Sequence, residues 1–334
     1  MIAAGAAFLL SVGLCRLVLS VGPLDRPDGG RKRQARAVPT AGGLGFAPAA
    51  LIGWAILAAS TPSLLASVEA WSIIILLAGA VIIGVLDDME RLSTRTKFAC
   101  LAVLAFAAAA ASLAARQIPL PGLGDVRAPW LVMAAGSALW VFVVINAVNF
   151  VDGANGLAMG ALAVMSLCLA AAAPNAAAAP VLIVLAAALA GFLVWNLPGR
   201  LYAGDTGAYA AGAAYAGAGL WLVADGALSV WTPAAAAAPI LIDVLLTLAW
   251  RARAGRNLLE PHRDHAYQLC IRAGWSHERT AAAWWGLAAV AGAIAALASR
   301  AGPDAAFWGF WAVIGAGSAL WVWQRRTFAP LAAG

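Results

Sequence analysis

Apolar segments long enough to cross a lipid bilayer recur along the whole chain. A membrane-spanning helix needs about 20 mostly apolar residues, and eleven segments fit this requirement. They are residues 2–21, 44–61, 70–86, 98–115, 130–149, 156–173, 179–196, 206–224, 231–250, 280–299 and 305–323. We therefore expect an all-α, polytopic integral membrane protein with about 11 transmembrane helices.

The scarcity of charge supports this interpretation. Only 11% of the 334 residues are charged and 63% are hydrophobic, whereas ordinary soluble domains carry about 25% charged residues. A soluble protein of this length could not cover its surface with so few charges. We expect membrane lipids as partners and no nucleic acid.

The arrangement of the segments predicts one domain over residues 1–334. No connection is large enough for a separate soluble domain. The first apolar segment has no basic stretch before it, so we interpret it as a membrane helix and not as a signal peptide. The four cysteines contain no CxxC pair, which indicates neither a disulfide framework nor a zinc site.

The basic residues predict the orientation in the membrane. When the connections are sorted alternately, 17 basic residues fall on one side and 3 on the other, with Arg16 inside the first span. Basic residues concentrate on the cytoplasmic side, so we expect the N-terminus outside and the C-terminus inside. The unusual polar clusters all fall on this same basic side, which scattered structural groups would not require.

The first cluster is the pair Asp87 and Asp88 in "GVLDDMERLSTRTKF". Adjacent carboxylates repel each other unless a cation or hydrogen bonds compensate. Hard cations such as Mg²⁺ prefer oxygen ligands and often bridge to phosphates. A solvated helix end is the alternative interpretation of this pair.

The second cluster is "NAVNFVDGANG", in which Asn146, Asn149 and Asp152 are spaced three residues apart. On a helix this spacing places the three side chains along one face. Carboxamides and a carboxylate can bind a nucleobase or a ribose. A C-cap followed by a turn at Gly153 is the alternative.

Three further segments carry polar groups. In "YAGDTGAY", Asp205 precedes a span, where Asp205 or Thr206 could cap the helix and where phosphates also bind. In "EPHRDHAYQ", His262 and His265 flank Arg263, which suggests diphosphate binding or proton transfer. The segment "VPTAGGLGF" supplies glycines that let the backbone approach a phosphate or another helix. We expect His277 to be structural. Together the clusters suggest a nucleotide diphosphate handled with Mg²⁺ at a lipid surface.

The set of motifs resembles the polyprenyl-phosphate N-acetylhexosamine-1-phosphate transferase family. The resemblance rests on "PTAGG", "DDMERLSTRTKF", "NAVNFVDGANGL", "AGDTGAY" and "HRDHAYQ", in the family's order from residue 39 to 268. The segment "HRDHAYQ" is most similar to the branch that initiates O-antigen synthesis. Asn155 stands where the peptidoglycan branch has an aspartate, which further favours the O-antigen branch.

The resemblance implies roles for the positions that match its motifs. It implies catalytic roles for Asp87, Asp88, Lys97, His262 and His265. It implies substrate contacts for Thr40, Asn149, Asp152, Gly153, Asn196, Tyr202 and Arg263, although the spacing of Asn196 is one residue short. It implies Asp205 and Asp87 as Mg²⁺ ligands, with Mn²⁺ as an alternative ion.

The resemblance also implies the reaction. A UDP-N-acetylhexosamine would donate its sugar-1-phosphate to undecaprenyl phosphate and release UMP, which would initiate O-antigen or a related envelope polysaccharide. The site would face the cytoplasm at the bacterial inner membrane, and a homodimer is expected by analogy. Phosphoryl transfer depends on in-line positioning and charge neutralisation. A direct attack is favoured, and a covalent route through Asp87 or Asp88 is the alternative.

Two other function classes compete with this interpretation. A secondary transporter would use carboxylates inside the membrane, and Asp243 in "APILIDVLLTLAW" is the best candidate. On the family interpretation Asp243 lies in the active-site groove or pairs with Arg251 or Arg253. A non-catalytic scaffold of envelope assembly is the second rival.

Overall fold

The computed structural model describes residues 1–25, 37–90, 92–258 and 260–331. The basic run at 26–36 and Arg91, which contribute to the expected charge asymmetry, lie outside the described residues.

The described residues are almost entirely helical. The helices are α1 Ile2–Val21, α2 Gly43–Ser60, α3 Ser63–Ala66, α4 Val68–Glu90, α5 Thr94–Ala108, α6 Trp130–Val151, α7 Leu157–Ala172, α8 Ala178–Asn196, α9 Gly204–Ala224, α10 Trp231–Arg253, α11 Ala266–Arg272, α12 His277–Ala301 and α13 Pro303–Leu331. A π-helical turn, Ala109–Leu113, extends α5. Two antiparallel strand pairs lie in connections. They are β1 Leu24–Asp25 with β2 Val38–Pro39, and β3 Ile118–Leu120 with β4 Gly124–Val126.

The expected all-α membrane fold is confirmed. Each of the eleven apolar segments is helical, and nine helices of the described residues are long and apolar enough to span a membrane. The two others differ from a simple span. Helix α7 has 16 residues, and α9 is buried from Thr206 to Ala224. Both fill the centre of the bundle, where contact with protein replaces contact with lipid.

Small residues allow the neighbours of α9 to approach it closely. A Cβ atom added to Gly84 of α4 would lie 2.4 Å from Cα of Thr206, and one added to Gly43 of α2 would lie 2.5 Å from N of Gly207. One added to Gly212 would lie 2.8 Å from Cα of Ile145 in α6. Because lipid tails are as apolar as leucine, membrane helices associate through such close backbone packing.

Successive spanning helices alternate in direction, so their polar ends lie together at one end of the bundle. Helices α4 and α6 end where α5 and α9 begin: Lys97 contacts Asp87, and Asn149 contacts Asp205. The backbone N–H of Asn155, before α7, likewise donates to the ring of His277, which opens α12. We call this end of the bundle the polar end. The alternation expected from the sequence is thus present in the fold.

The few basic residues assigned to the opposite side lie at the other end of the bundle. Arg127 donates to Gln117 in the connection between α5 and α6. Arg300, in the last turn of α12, donates to the carbonyl of Ala171 near the end of α7. Arg16 lies within α1, where its guanidinium stacks over Trp195 at 5.7 Å.

The close approach at Gly84 can be tested by substitution. Gly84→Ala should lower the thermal unfolding midpoint, because its new methyl group would overlap the backbone of α9 and overpacking costs about 1–3 kcal/mol. Gly136→Ala is the matched control on α6, since nothing lies within 4 Å of its added Cβ. An equal response of the two variants would contradict the close packing of α4 on α9.

Candidate active site

The N-terminus of α9 is held by a carboxylate from another helix. Asp88 of α4 accepts hydrogen bonds from the backbone N–H of Asp205 at 3.0 Å and of Thr206 at 3.1 Å. It also accepts from the hydroxyl of Thr206 at 2.7 Å. The first N–H groups of a helix have no partner within the helix, and an acid stabilises them. Local capping by Asp205 or Thr206, expected as one alternative, is therefore replaced by capping from α4.

Gly204 makes this approach feasible. Its φ of +71° is a conformation that side chains disfavour. A Cβ atom there would lie 2.7 Å from Oδ2 of Asp88 and 2.9 Å from Oγ1 of Thr40. Thr40, expected to contact substrate, is thereby placed beside the capped end of α9.

Asp87 lies one residue before the capping acid and has a different set of partners. It is 5% exposed. Its Oδ2 accepts from Nζ of Lys97 at 2.9 Å and from the hydroxyl of Tyr209 at 3.0 Å. Both donors use the same oxygen of Asp87.

Asp205 is the neighbour of Asp87. The amide of Asn149 donates to Oδ1 of Asp205 at 2.5 Å, and the carboxyl groups of Asp205 and Asp87 lie within hydrogen-bonding reach of each other. We call Asp87, Asp88 and Asp205 the acid cluster. Among the described residues, Lys97 is the cation that pairs with these three carboxyl groups, so this part of the chain places more acidic than basic groups there.

The donor set of the acid cluster fits Mg²⁺. Among the residues that the structure describes, no group of three His, Cys, Asp or Glu side chains is arranged to hold a metal by itself. Mg²⁺ is usually bound by one or two carboxylates together with waters and substrate phosphates. Asp87 and Asp205 match that pattern, because their carboxyl groups lie side by side and, among the described residues, Lys97, Tyr209 and Asn149 donate to only one oxygen of each. Asp88 does not, since both of its oxygens accept from α9.

Asp152 and Gly153 follow α6 at the edge of the acid cluster. Burial, followed by the charges of Asp205 and Asp88, raises the pKa of Asp152 well above its ordinary value. Gly153 is exposed, and a Cβ atom there would lie 2.2 Å from the hydroxyl of Tyr267. The end of α6 therefore touches the acid cluster on one side and α11 on the other.

A second carboxylate caps a helix from a distance. Asp243 of α10 is 2% exposed, and it accepts from the backbone N–H of Ala266 at 2.6 Å and of Tyr267 at 3.2 Å. It thus holds the N-terminus of α11, directly after His265. The expected pairing of Asp243 with Arg251 or Arg253 is wrong, and a helix-capping carboxylate is poorly suited to coupled transport.

The capped α11 places the histidines beside α6. The ring of His265 stacks on Phe150 at 6.2 Å between centroids and on Tyr267 at 6.0 Å, and the ring of His262 lies 4.9 Å away. Burial lowers the pKa of His265 despite the opposing charge of Asp243. In the protein alone His265 is therefore mostly neutral at pH 7.

Arginines fix the loop that carries the histidines. Asp264 forms an ion pair with Arg251 and a second one with Arg256 at 3.3 Å. Arg325 of α13 donates to the carbonyl of Asp264 at 2.6 Å and stacks over Trp250 at 3.9 Å. These contacts bring the ends of α10 and α13 to the loop. Arg263, between the two histidines, is partly exposed.

Asn196 has a different role from the one that the resemblance implied. It is buried, and its Oδ1 accepts from the N–H of Gly156 at 2.7 Å while its Nδ2 donates to the carbonyl of Leu201 at 2.8 Å. Both ends of the amide are thus used by the backbone. This geometry supports a brace between two loops and not a contact with substrate.

Tyr202 is half-buried beside the strand pair β1–β2. Its backbone N–H donates to the carbonyl of Pro39 at 2.9 Å, and its carbonyl accepts from the N–H of Gly42. Burial, followed by the charge of Asp25, raises the pKa of its hydroxyl. The segment with Thr40 is thereby joined to the segment that leads into α9.

The region that matches known proteins contains the same motifs. The profile described as "Glycosyl transferase family 4" matches residues 70–223, which include the acid cluster, Lys97 and the end of α6. A phospho-N-acetylmuramoyl-pentapeptide-transferase of Deinococcus radiodurans is 30% identical over 290 residues, which cover 80% of this chain and 88% of the relative.

The chain belongs to glycosyl transferase family 4.

Other relatives in the family carry different names. A decaprenyl-phosphate N-acetylglucosaminephosphotransferase of Mycobacterium leprae is 28% identical, covering 61% of this chain and 59% of the relative. A probable undecaprenyl-phosphate N-acetylglucosaminyl 1-phosphate transferase of Bacillus subtilis is 26% identical, covering 58% of this chain and 53% of the relative. Similar identity to both kinds of transferase does not separate the branches of the family.

The structure brings most of the residues implied by the family motifs to the polar end. A continuous series of contacts runs from Lys97 and Asp87 through Asp205 and Asn149 to the end of α6 and on to His265. Asn196 and Asp88 are used by the backbone. Sequence reasoning missed Tyr209 and considered Thr206 only as a cap of its own helix. The signal for Tyr209 was its spacing of four residues from Asp205, which places both on one face of α9.

The ion pairs of Asp264 predict a pH dependence of stability. Burial raises the pKa of Asp264, but the hydrogen bond and charge of Arg251, followed by the charges of His262 and Arg256, offset this, and the pKa lies below its ordinary value. A lowered pKa in the folded protein means that Asp264 stabilises the fold above its unfolded pKa, about 3.9. This contribution is lost as the pH falls through the folded pKa.

The comparison with Asp264→Asn isolates this contribution. Thermal unfolding midpoints measured from neutral pH downward should show the wild type more stable than Asp264→Asn at pH 7, and the difference should shrink below about pH 4. Asp225→Asn, in the loop after α9, is the control for unrelated carboxylates. A difference that does not change with pH would contradict the ion-pair assignment.

Proposed function

We propose that this protein transfers a hexosamine-1-phosphate from a UDP-sugar to a polyprenyl phosphate, giving a polyprenyl-diphospho-sugar and UMP. The observation that carries the proposal is the pairing of Asp87 with Asp205 beside Lys97 at the polar end of apolar helices. A lipid phosphate and a soluble nucleotide can meet only at such a boundary. The names of the relatives in the family support the same reaction class.

Side chains of the acid cluster and Lys97 would position the acceptor phosphate for attack. A phosphate monoester has its second pKa at about 6, so the acceptor is largely ionised at neutral pH and needs little help from a base. Lys97 would attract the phosphate oxygens, and Asp87 would orient the acceptor or take its last proton. Mg²⁺ held by Asp205 and Asp87, with Mn²⁺ as an alternative, would neutralise the diphosphate and stabilise the leaving UMP.

A direct attack fits the hydrogen bonds better than a covalent intermediate on Asp88. Both oxygens of Asp88 accept from α9, so neither is free to act as a nucleophile. One oxygen of Asp87 accepts from Lys97 and Tyr209, and its carboxyl group also pairs with Asp205, which suits a group that orients the acceptor and does not form a covalent bond with it. Asp88 is therefore a positioning residue in this proposal.

The donor would extend from the acid cluster along the end of α6. Asn149, Asp152 and Gly153 would bind the uridine part, and Tyr202 would stack on uracil. His262, Arg263 and His265 would bind the diphosphate and the sugar. The exposed backbone at Gly153 and the partly exposed Arg263 support this path.

We place the active site on the cytoplasmic face of the bacterial inner membrane, with the N-terminus outside and the C-terminus inside. Undecaprenyl phosphate is the proposed acceptor and a UDP-N-acetylhexosamine the proposed donor. The motif "HRDHAYQ" and Asn155 favour initiation of O-antigen or a related envelope polysaccharide. A homodimer remains part of this proposal.

Substitution of the paired acids should remove activity without unfolding the protein. Asp205→Asn and Asp87→Asn should each lower the rate of UMP release by about 10³-fold, since an enzyme loses about that factor when a charge-stabilising group is removed. The assay contains purified protein, undecaprenyl phosphate, Mg²⁺ and a panel of UDP-N-acetylhexosamines. Asp225→Asn, outside the acid cluster, should keep normal activity. Near-normal turnover of Asp205→Asn would refute the assignment.

Removal of metal should have a reversible effect. Treatment of the wild type with a chelator should abolish UMP release, and added Mg²⁺ should restore it, because the acid cluster has excess negative charge that the donor diphosphate would increase. Mn²⁺ should also restore it. Full activity in the presence of the chelator would show that Asp87 and Asp205 serve another purpose.

A further inference from the structure

Residues 152–156, which we call the α6–α7 loop, are held by side chains of α12. The backbone N–H of Asn155 donates to Nδ1 of His277 at 3.1 Å, and the carbonyl of Gly156 accepts from the indole N–H of Trp285 at 2.9 Å. Asn155 and His277 are 122 residues apart in the chain. The N-terminal part of α12 therefore fixes this loop from a distant part of the sequence.

The N–H of Asn155 depends on the ring of His277. Asn155 precedes α7, so its N–H lies outside the hydrogen-bond ladder of that helix. The next N–H, that of Gly156, is taken up by Asn196 of α8. Because Nδ1 of His277 accepts a hydrogen bond, the neutral ring carries its proton on Nε2. A partly buried backbone donor that loses its acceptor costs more than the bond itself contributes.

The same stretch of chain also supports the end of α6. Tyr267 of α11 donates its hydroxyl to the carbonyl of Phe150 at 3.0 Å. Residues 273–276 then lead from α11 to His277. The α6–α7 loop thus has one support just before it, at Phe150, and a second one near its end, at Asn155.

We propose that His277 is a positioning residue for the sugar-nucleotide donor, because its Nδ1 holds the α6–α7 loop in the conformation that receives the uridine part. This role rests on the proposed function, which assigns Asp152 and Gly153 of the loop to uridine. An interaction that supports the bound donor equally in the ground state and in the transition state changes KM and not kcat. His277 therefore acts on donor affinity and leaves the chemistry at the acid cluster unchanged.

Two substitutions separate the hydrogen bond of His277 from the bulk of its ring. His277→Ala removes the acceptor, whereas His277→Asn supplies an Oδ1 atom at nearly the position of Nδ1. In His277→Ala, the KM for the UDP-sugar and the calorimetric Kd for UDP with Mg²⁺ should each rise about fivefold, as expected for the loss of one hydrogen bond. The value of kcat should change by less than about twofold, and His277→Asn should restore both KM and Kd. Equal Kd values for the wild type and His277→Ala, or no recovery in His277→Asn, would overturn the proposal.

Arg300→Ala is the matched control. Arg300 lies in the last turn of α12 and donates to the carbonyl of Ala171 at 3.0 Å, so it also ties α12 to the backbone of α7, but at the opposite end of the bundle. Its loss should leave the Kd for UDP unchanged. An equal rise of Kd in Arg300→Ala and His277→Ala would show a general loosening of α12, which would contradict a specific role of His277.

Amide exchange tests the contact without any donor. Deuterium uptake by peptides that cover the α6–α7 loop should be faster in His277→Ala than in the wild type and in His277→Asn, because the N–H of Asn155 loses its acceptor. Equal uptake in all three proteins would overturn the proposal regardless of activity. A wild type that shows this protection but neither binds UDP nor releases UMP would instead overturn the proposed function, and with it the role of His277 in donor binding.

Discussion

The arrangement of the polar end depends on the contact between Asp88 and the N-terminus of α9. Three donors of α9 converge on one carboxylate of α4, and the partial positive charge of the helix N-terminus adds to the attraction. Asp205 belongs to this capped turn, so the contact fixes it next to Asp87. The carboxylate of Asp88 thereby sets the position of the other two acids of the cluster.

The same device recurs in the second half of the chain. Asp243 of α10 caps α11 as Asp88 caps α9, and in each case the residue beside the capped turn is a candidate functional group, Asp205 or His265. The Asp243 contact is buried and the Asp88 contact is partly buried, and away from water a hydrogen bond to a charged group is strong and an unpaired charge is costly. Two capped helices thus bring distant segments to the end of α6.

Much of this arrangement was predictable from the sequence. Apolar length gave the helices, and the alternation of connections placed the clusters of Asp87, Asp205 and His265 at one end of the bundle. The sequence did not predict which side chain caps which helix. Asp88 and Asp205 are 117 residues apart, and no local pattern indicates which acid caps which helix. Asn196 likewise resembled a substrate ligand. The sequence does not show whether its side-chain amide is exposed or is buried and hydrogen-bonded to the backbone.

The charges of the acid cluster support the proposed function. Within the part of the chain that the structure describes, three carboxyl groups lie beside one ammonium group, that of Lys97. The lipid phosphate and the nucleotide diphosphate of the proposed reaction would bring still more negative charge. The central claim is that a divalent cation joins Asp87 and Asp205 to the diphosphate. Electron paramagnetic and double-resonance spectra of Mn²⁺ bound with UDP test this claim most directly. We predict one bound Mn²⁺ coupled to the phosphorus nuclei of UDP in the wild type and its loss in Asp205→Asn. The same phosphorus-coupled Mn²⁺ retained in Asp205→Asn would contradict it.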